Sequence, residues 1–377
     1  MKYEIGRRSR GLLEPLMTAS IQKLCWALAF AAIPSVATAH SADFMFRANV
    51  DGQILEGQPL HWNANEMWLL GRDGQLYDFN PKTARDAQKT GAHFASYSPS
   101  EMKISLEHEF GNTFEVSAIR HYVVVHPRGE RDQWPDRFEQ LYDRFNHYFS
   151  VRGFQLKEPE FPLVAVVFRT HEEFMRRVSA DGVQASPNLL GVYVPKSNRV
   201  FLYDVTAHSN GADWSQNAST IIHEATHQMA FNTGIHHRFA TTPKWLAEGL
   251  ATMFEAPGVW NAQYDRTQSD RINRGRLNGF REYVTKRRSP GSLATLLTSD
   301  TLFQSDVDGA YAEAWALSFY LCETQPRAYS ELLTRIAKRP AFGDYSAVER
   351  MADFQSIFGS EMKIFDTKFL HYMQDVK

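Results

Sequence analysis

The chain has little cysteine, no excess of charge of either sign and no long apolar run. Only two cysteines, Cys25 and Cys322, occur among 377 residues, which excludes a disulfide-framed fold. Forty-one basic side chains face forty-three acidic ones, for a formal net charge of −2. Composition therefore offers no basic excess, and nucleic acid is not an expected partner. The apolar run "LCWALAFAAIPSVATA" falls short of the ~20 residues that a membrane-spanning helix needs, and Pro34 interrupts it. What remains is an ordinary globular composition, 43% hydrophobic, long enough for about two or three domains with a sizeable core.

The same run has a specific context. Lys2, Arg7, Arg8, Arg10 and Lys23 precede it, and Ala37-Thr38-Ala39 ends it. A basic segment, an apolar segment and an A-x-A site together read as a secretory signal cut after Ala39, with Met17 a second candidate start. The alternative is an N-terminal membrane anchor. The expectation is thus a secreted or periplasmic protein with no membrane attachment once the signal is removed. Cys322 would then stand alone, in an apolar helical pattern that suits a buried, inert thiol.

Residues 43 to 80 contain "FMFRANVDGQILEG" and "MWLLGRDGQLYDF", each with Asp-Gly between apolar stretches. That is a hairpin signature, and the segment (residues 40–82) resembles a small SH3-like β-module. Residues 83–104 are polar and aperiodic, and read as a linker. From 105 the pattern changes. "TFEVSAIRHYVVVHP" reads as paired strands, and Phe138, Leu141, Tyr142, Phe145, Tyr148 and Phe149 form one helical stripe. "FPLVAVVF" reads as a buried strand and "HEEFMRRV" as a short helix. "LLGVYVP" and "RVFLYD" read as a hairpin turning at "KSN". Past residue 215 the sequence reads as helices alone. The expected fold is α+β: a mixed sheet with an edge hairpin over 105–214, then a helical half over 215–377.

"TIIHEATHQMAFN" carries the chemistry. His223 and His227 are four apart, so on a helix both imidazoles share one face about 5–6 Å apart at Cβ, and zinc accepts nitrogen donors readily. Glu224, next to the first histidine, is placed to take a proton from an attacking water. Chance alone supplies such a motif now and then, so a third metal donor is required. "WLAEGLATMFE" offers Glu248, twenty-one positions after His227, and Glu255 seven further along the same helix face. Both carboxylates stand among Trp245, Leu246, Leu250, Met253 and Phe254, where an unpartnered charge is costly. His236 and His237 fall in the loop between these helices and read as solvent-facing.

"HEATHQMAFN" followed by "WLAEGLATMFE" resembles the gluzincin class of zinc peptidases, aminopeptidases included. The matching positions are His223, Glu224, His227, Gln228 and Asn232, then Trp245, Glu248, Gly249 and Glu255. Residues 105 to 375 are also similar to a bacterial family of secreted gluzincin-like proteins. The resemblance implies one zinc per chain on His223, His227 and Glu248, with Glu224 as general base. It implies that Glu255 steadies a ligating histidine, and that Tyr311, heading "YAEAWALSFYL", donates to the oxyanion.

Two departures stand out. The Lys-Gly that follows this tyrosine in aminopeptidases is replaced by Glu313-Ala314, and their amine-binding G-x-M-E-N is absent. "LLGVYVPKSNRVFLYD" takes its place, and an exposed edge strand at Gly191, Val192 and Tyr193 would pair with an extended peptide. The expected activity is an exported, zinc-dependent hydrolysis of peptide or protein substrates. A zinc-stabilised envelope protein that binds without cutting is the alternative, but it would need no base at Glu224. Hydrolysis of another amide is a third reading.

Overall fold

The computed structural model describes residues 44–91, 93–129, 134–204, 215–261 and 267–377. The expected signal segment and its cleavage site lie outside the described residues. No helix among those described is long and apolar enough to cross a membrane.

The architecture is α+β. Strands β1 (Met45–Val50), β2 (Gln53–Trp62), β3 (Met67–Gly71), β4 (Leu76–Phe79) and β5 (Ala84–Gly91) form an antiparallel sheet in the order β4-β3-β2-β1-β5. Asp51 and Gly52, at φ 52° and 89°, make the β1–β2 turn, as Asp-Gly predicts. The linker expected at 83–104 is a correction: it contributes β5, and from Pro99 a capped helix, α1 (Pro99–Phe110). β5 is an edge strand whose side chains are largely exposed, so no alternation marked it.

The second sheet takes β6 (Phe114–Ala118), β7 (Tyr122–Pro127), β8 (Leu163–Phe168), β9 (Gly191–Val194) and β10 (Arg199–Tyr203) in the order β6-β7-β8-β10-β9. β7, β8 and β10 run parallel, with antiparallel partners β6 and β9 at the two edges. β7, β8 and β9 are buried along their whole length because both faces of the sheet are covered. Val123, Val125, Val164, Val166 and Val192 pack toward α1 and α3 (His171–Ala180). Tyr122, Val124, Ala165, Tyr193 and Val200 pack toward α2 (Trp134–Ser150) and α4 (Ser215–Asn232).

The remainder is helical: α5 (Lys244–Phe254), α6 (Pro257–Trp260), α7 (Arg274–Lys286), α8 (Ser292–Thr298), α9 (Leu302–Ser305), α10 (Val307–Thr324), α11 (Pro326–Ala337), α12 (Ala347–Phe358) and α13 (Met362–Asp375). Cys322 is buried on α10, with the Tyr148 hydroxyl 3.4 Å from its sulfur. The first sheet is docked on the rest of the fold. Leu76 N–H donates to Lys196 O at 2.8 Å, and Trp68 meets Phe342 at 4.1 Å between ring centroids. The Arg238 guanidinium, deep in this junction, donates to Gly74 O at 2.7 Å and Pro195 O at 2.6 Å.

Helices α5 and α10 cross closely at Gly249. A Cβ there would stand 2.3 Å from Ser318 Oγ and 2.4 Å from Ala314 O. Backbone cannot give way as a flexible side chain can. Gly249→Ala is therefore expected to lower stability by at least about 1–3 kcal/mol, the usual cost of overpacking, read as a lower urea midpoint. An unchanged midpoint would mean that the two helices are free to separate. The crossing matters because it brings Glu248 on α5 and Tyr311 on α10 to the same place.

Candidate metal centre

α4 is held against the second sheet by side chains that flank its histidines. Gln228 donates from Nε2 to Val164 O at 2.9 Å and to Asn198 O at 2.8 Å. One turn on, Asn232 donates to Asn198 Oδ1 at 2.8 Å. At the other end Gly191 lets the helix approach β9, where a Cβ would lie 2.7 Å from Thr220 Cγ2 and 3.2 Å from Glu224 Cγ. The face of α4 that bears the motif is thereby fixed in rotation relative to the sheet edge.

On that face His223 and His227 converge, with Nε2 atoms 3.2 Å apart and rings nearly perpendicular at 80°. From α5, Glu248 brings Oε2 to 3.3 Å from His223 Nε2 and 3.5 Å from His227 Nε2. One donor atom from each of the three residues lies within 4.8 Å of the others. The side chains of His223, His227 and Glu248 remain 15%, 12% and 11% exposed, so the cluster opens to solvent.

A metal fits this arrangement on its own terms. Glu248 Oε2 is buried and accepts no hydrogen bond in the structure, although two imidazole nitrogens stand beside it. Burial disfavours the charged forms of His223 and Glu248, but the carboxylates of Glu248 and Glu255 raise the His223 pKa well above normal, and the two histidines drive that of Glu248 well below. Two imidazoles and a carboxylate aimed at one point form a donor set suited to zinc.

Glu255, just past the end of α5, accepts from His223 Nδ1 through Oε1 at 2.9 Å. Its other oxygen accepts from Asn273 Nδ2 at 2.8 Å, and Asn273 also donates to Thr252 O. Asn273 caps α7, accepting from Arg276 N–H at 3.1 Å. The sequence reading did not find Asn273; a side chain that prefers helix starts was the available signal in "INRGRL".

Glu224 is half-buried beside the cluster, and its Oε2 accepts the Tyr193 backbone N–H at 2.7 Å. Tyr311, the fifth residue of α10, lies near Glu248 and Glu224. Burial first, and then those two carboxylates, push its phenol well above its ordinary pKa, so it stays protonated. Arg276 stacks over the Tyr311 ring at 5.1 Å, another neighbour that the sequence did not disclose.

Two expectations need correction. β9 is the sheet edge, but its side chains are buried rather than exposed, and the Tyr193 phenol donates to Asn198 Oδ1 at 2.8 Å. His236 is only 2% exposed, against Phe231, and burial lowers its pKa to about 3. His237 is half-buried, and its Nδ1 accepts the Phe239 N–H. Neither imidazole belongs to the three-donor cluster. The Glu313 departure also has a local reason: Glu313 is fully buried and pairs with Arg288 at 2.8 Å, and Arg288 in turn pairs with Asp366.

The family described as "Protein of unknown function (DUF1570)" matches residues 217–343, which include the whole cluster. No curated protein matches the chain. Among solved structures, the chain is similar to an M1 zinc metallopeptidase from Deinococcus radiodurans, at 14% identity and a TM-score of 0.37, covering 69% of this chain and 51% of that one. A mutant of that enzyme bound to a Tyr-Ser-Ala substrate gives 14% identity and a TM-score of 0.38, covering 67% and 50%. The chain spans about half the length of these structures.

Proposed function

We propose that this chain is an exported, zinc-dependent peptide hydrolase. The observation that carries the reading is a set of three donors rather than four among the described residues, converging at a solvent-open point with a carboxylate beside it that is not one of the three. A purely structural zinc site is usually closed by four protein ligands and has no use for such a carboxylate.

Bound zinc would supply polarisation of the scissile carbonyl and a more acidic attacking water. Glu224 takes the proton from that water and passes it to the leaving amine. Its carboxylate is kept in place by the Tyr193 N–H. Tyr311 keeps its proton at neutral pH and donates a hydrogen bond to the oxygen on which negative charge develops. Glu255, itself held by Asn273, fixes the orientation of the His223 ring.

The test is digestion of a peptide library, read by mass spectrometry, with and without chelator and after zinc is restored. Cleavage that vanishes with chelator and returns with zinc supports the reading. Chelator-insensitive cleavage, or none by zinc-loaded protein, would sink it. Within such an assay Tyr311→Phe is expected to cut about 10²–10³-fold more slowly, the usual loss for one oxyanion donor, with zinc content unchanged. A rate within twofold of wild type would remove Tyr311 from the mechanism.

A further inference from the structure

Arg276 differs from the arginines that a close carboxylate holds. Arg199 reaches Glu109 at 2.7 Å, Arg271 reaches Glu323 at 2.9 Å, and Arg350 reaches Asp300 at 3.0 Å. Arg276 comes no closer than 3.9 Å to a carboxylate, that of Glu255, which is beyond hydrogen-bond distance. Glu255 is already engaged through both oxygens, by His223 and Asn273. Among the described residues the Arg276 side chain has no hydrogen-bond acceptor. It is 31% exposed, and the face of Tyr311 supports its planar guanidinium at 5.1 Å.

The surroundings are otherwise acidic. Glu224, Glu248 and Glu255 crowd the metal centre, and a bound zinc ion would offset two of their three charges, so a substrate carboxylate entering there would still gain no net attraction from the cluster. A supported guanidinium at the rim, with its nearest carboxylate 3.9 Å away and no hydrogen-bond acceptor among the described residues, reverses that locally. Its fork of N–H donors matches a carboxylate in two parallel hydrogen bonds.

We infer that Arg276 is a specificity-determining residue that binds a carboxylate of the substrate close to the scissile bond. The inference rests on the proposed hydrolytic reading for its setting. The carboxylate is either an acidic side chain or the free C-terminus of the peptide.

The test uses the zinc-loaded full chain carrying Glu224→Gln, so that bound peptides persist, and calorimetric titration with blocked peptides. One series moves a single Glu through successive positions, each peptide with a Gln twin. A second compares each Gln peptide with its free-acid form. We expect one acidic peptide to bind about tenfold more tightly than its neutral twin, as a charge-assisted pair allows. Arg276→Gln should erase the preference, and Arg276→Lys should keep part of it, with zinc content unchanged in both. A preference in the first series identifies a side-chain carboxylate; in the second, the C-terminus. Equal affinities within every pair, no binding of any peptide, or a preference that survives Arg276→Gln would overturn the inference. Carboxylate-selective binding together with absence of cleavage by wild type would sink the hydrolytic reading and leave the role of Arg276 standing.

Discussion

The Glu224→Gln protein is expected to retain its fold and its zinc while losing peptide cleavage by about 10²–10⁴-fold or more. Glutamine is nearly isosteric with glutamate, and its amide oxygen still accepts the Tyr193 N–H that Glu224 Oε2 accepts at 2.7 Å. Contacts to the sheet edge are therefore preserved, and proton acceptance is what disappears. Glu224 is not one of the three converging donors, so metal content gives an internal control. Zinc-loaded Glu224→Gln cleaving as fast as wild type would remove the general base from the account. Loss of zinc in this variant would instead make Glu224 a ligand.

Glu248→Ala has the second large expected effect, and it falls on metal content. The substitution takes away one donor of three, together with the negative charge that lies 3.3 Å and 3.5 Å from the two imidazoles. Two histidines alone leave zinc short of the three protein ligands that catalytic sites use. Competition with a chromogenic chelator should show affinity falling by more than the ~10–100-fold typical of losing a partner that only orients a ligand. Glu255→Ala supplies that comparison, because Glu255 touches His223 through Nδ1 and no other member of the cluster. If Glu248→Ala held zinc as tightly as wild type, the third ligand would lie elsewhere, and Glu255 would be the first residue to examine.

The cluster was readable in the sequence to the extent that it obeys local periodicity. His223 and His227 share a face because a helix puts positions four apart side by side. Glu248 could be proposed because an isolated carboxylate on an otherwise apolar helix needs a partner. Asn273 and Arg276 obey no such rule with respect to the motif: they reach the site only because α7 packs beside α10, and sequence spacing does not encode that. The same distinction explains the fold. β7 and β8 are unbroken apolar runs buried on both faces, hence legible, whereas β5 pairs through its backbone at an edge and leaves polar side chains outside. His236 was misplaced because a histidine in a loop normally faces water, and nothing near it in sequence foretold burial against Phe231.

The central claim is that three protein donors, and no fourth, hold a zinc ion that stays open to substrate. A crystal structure of the zinc-loaded protein, with anomalous scattering recorded at the zinc edge, tests it most directly. The account predicts one strong peak per chain, about 2.0–2.2 Å from His223 Nε2, His227 Nε2 and a Glu248 carboxylate oxygen. The remaining position should lie on the side of Glu224 and Tyr311, with solvent in it. A fourth protein side chain on the ion, or a peak away from these three residues, would contradict the account and make the centre a structural one.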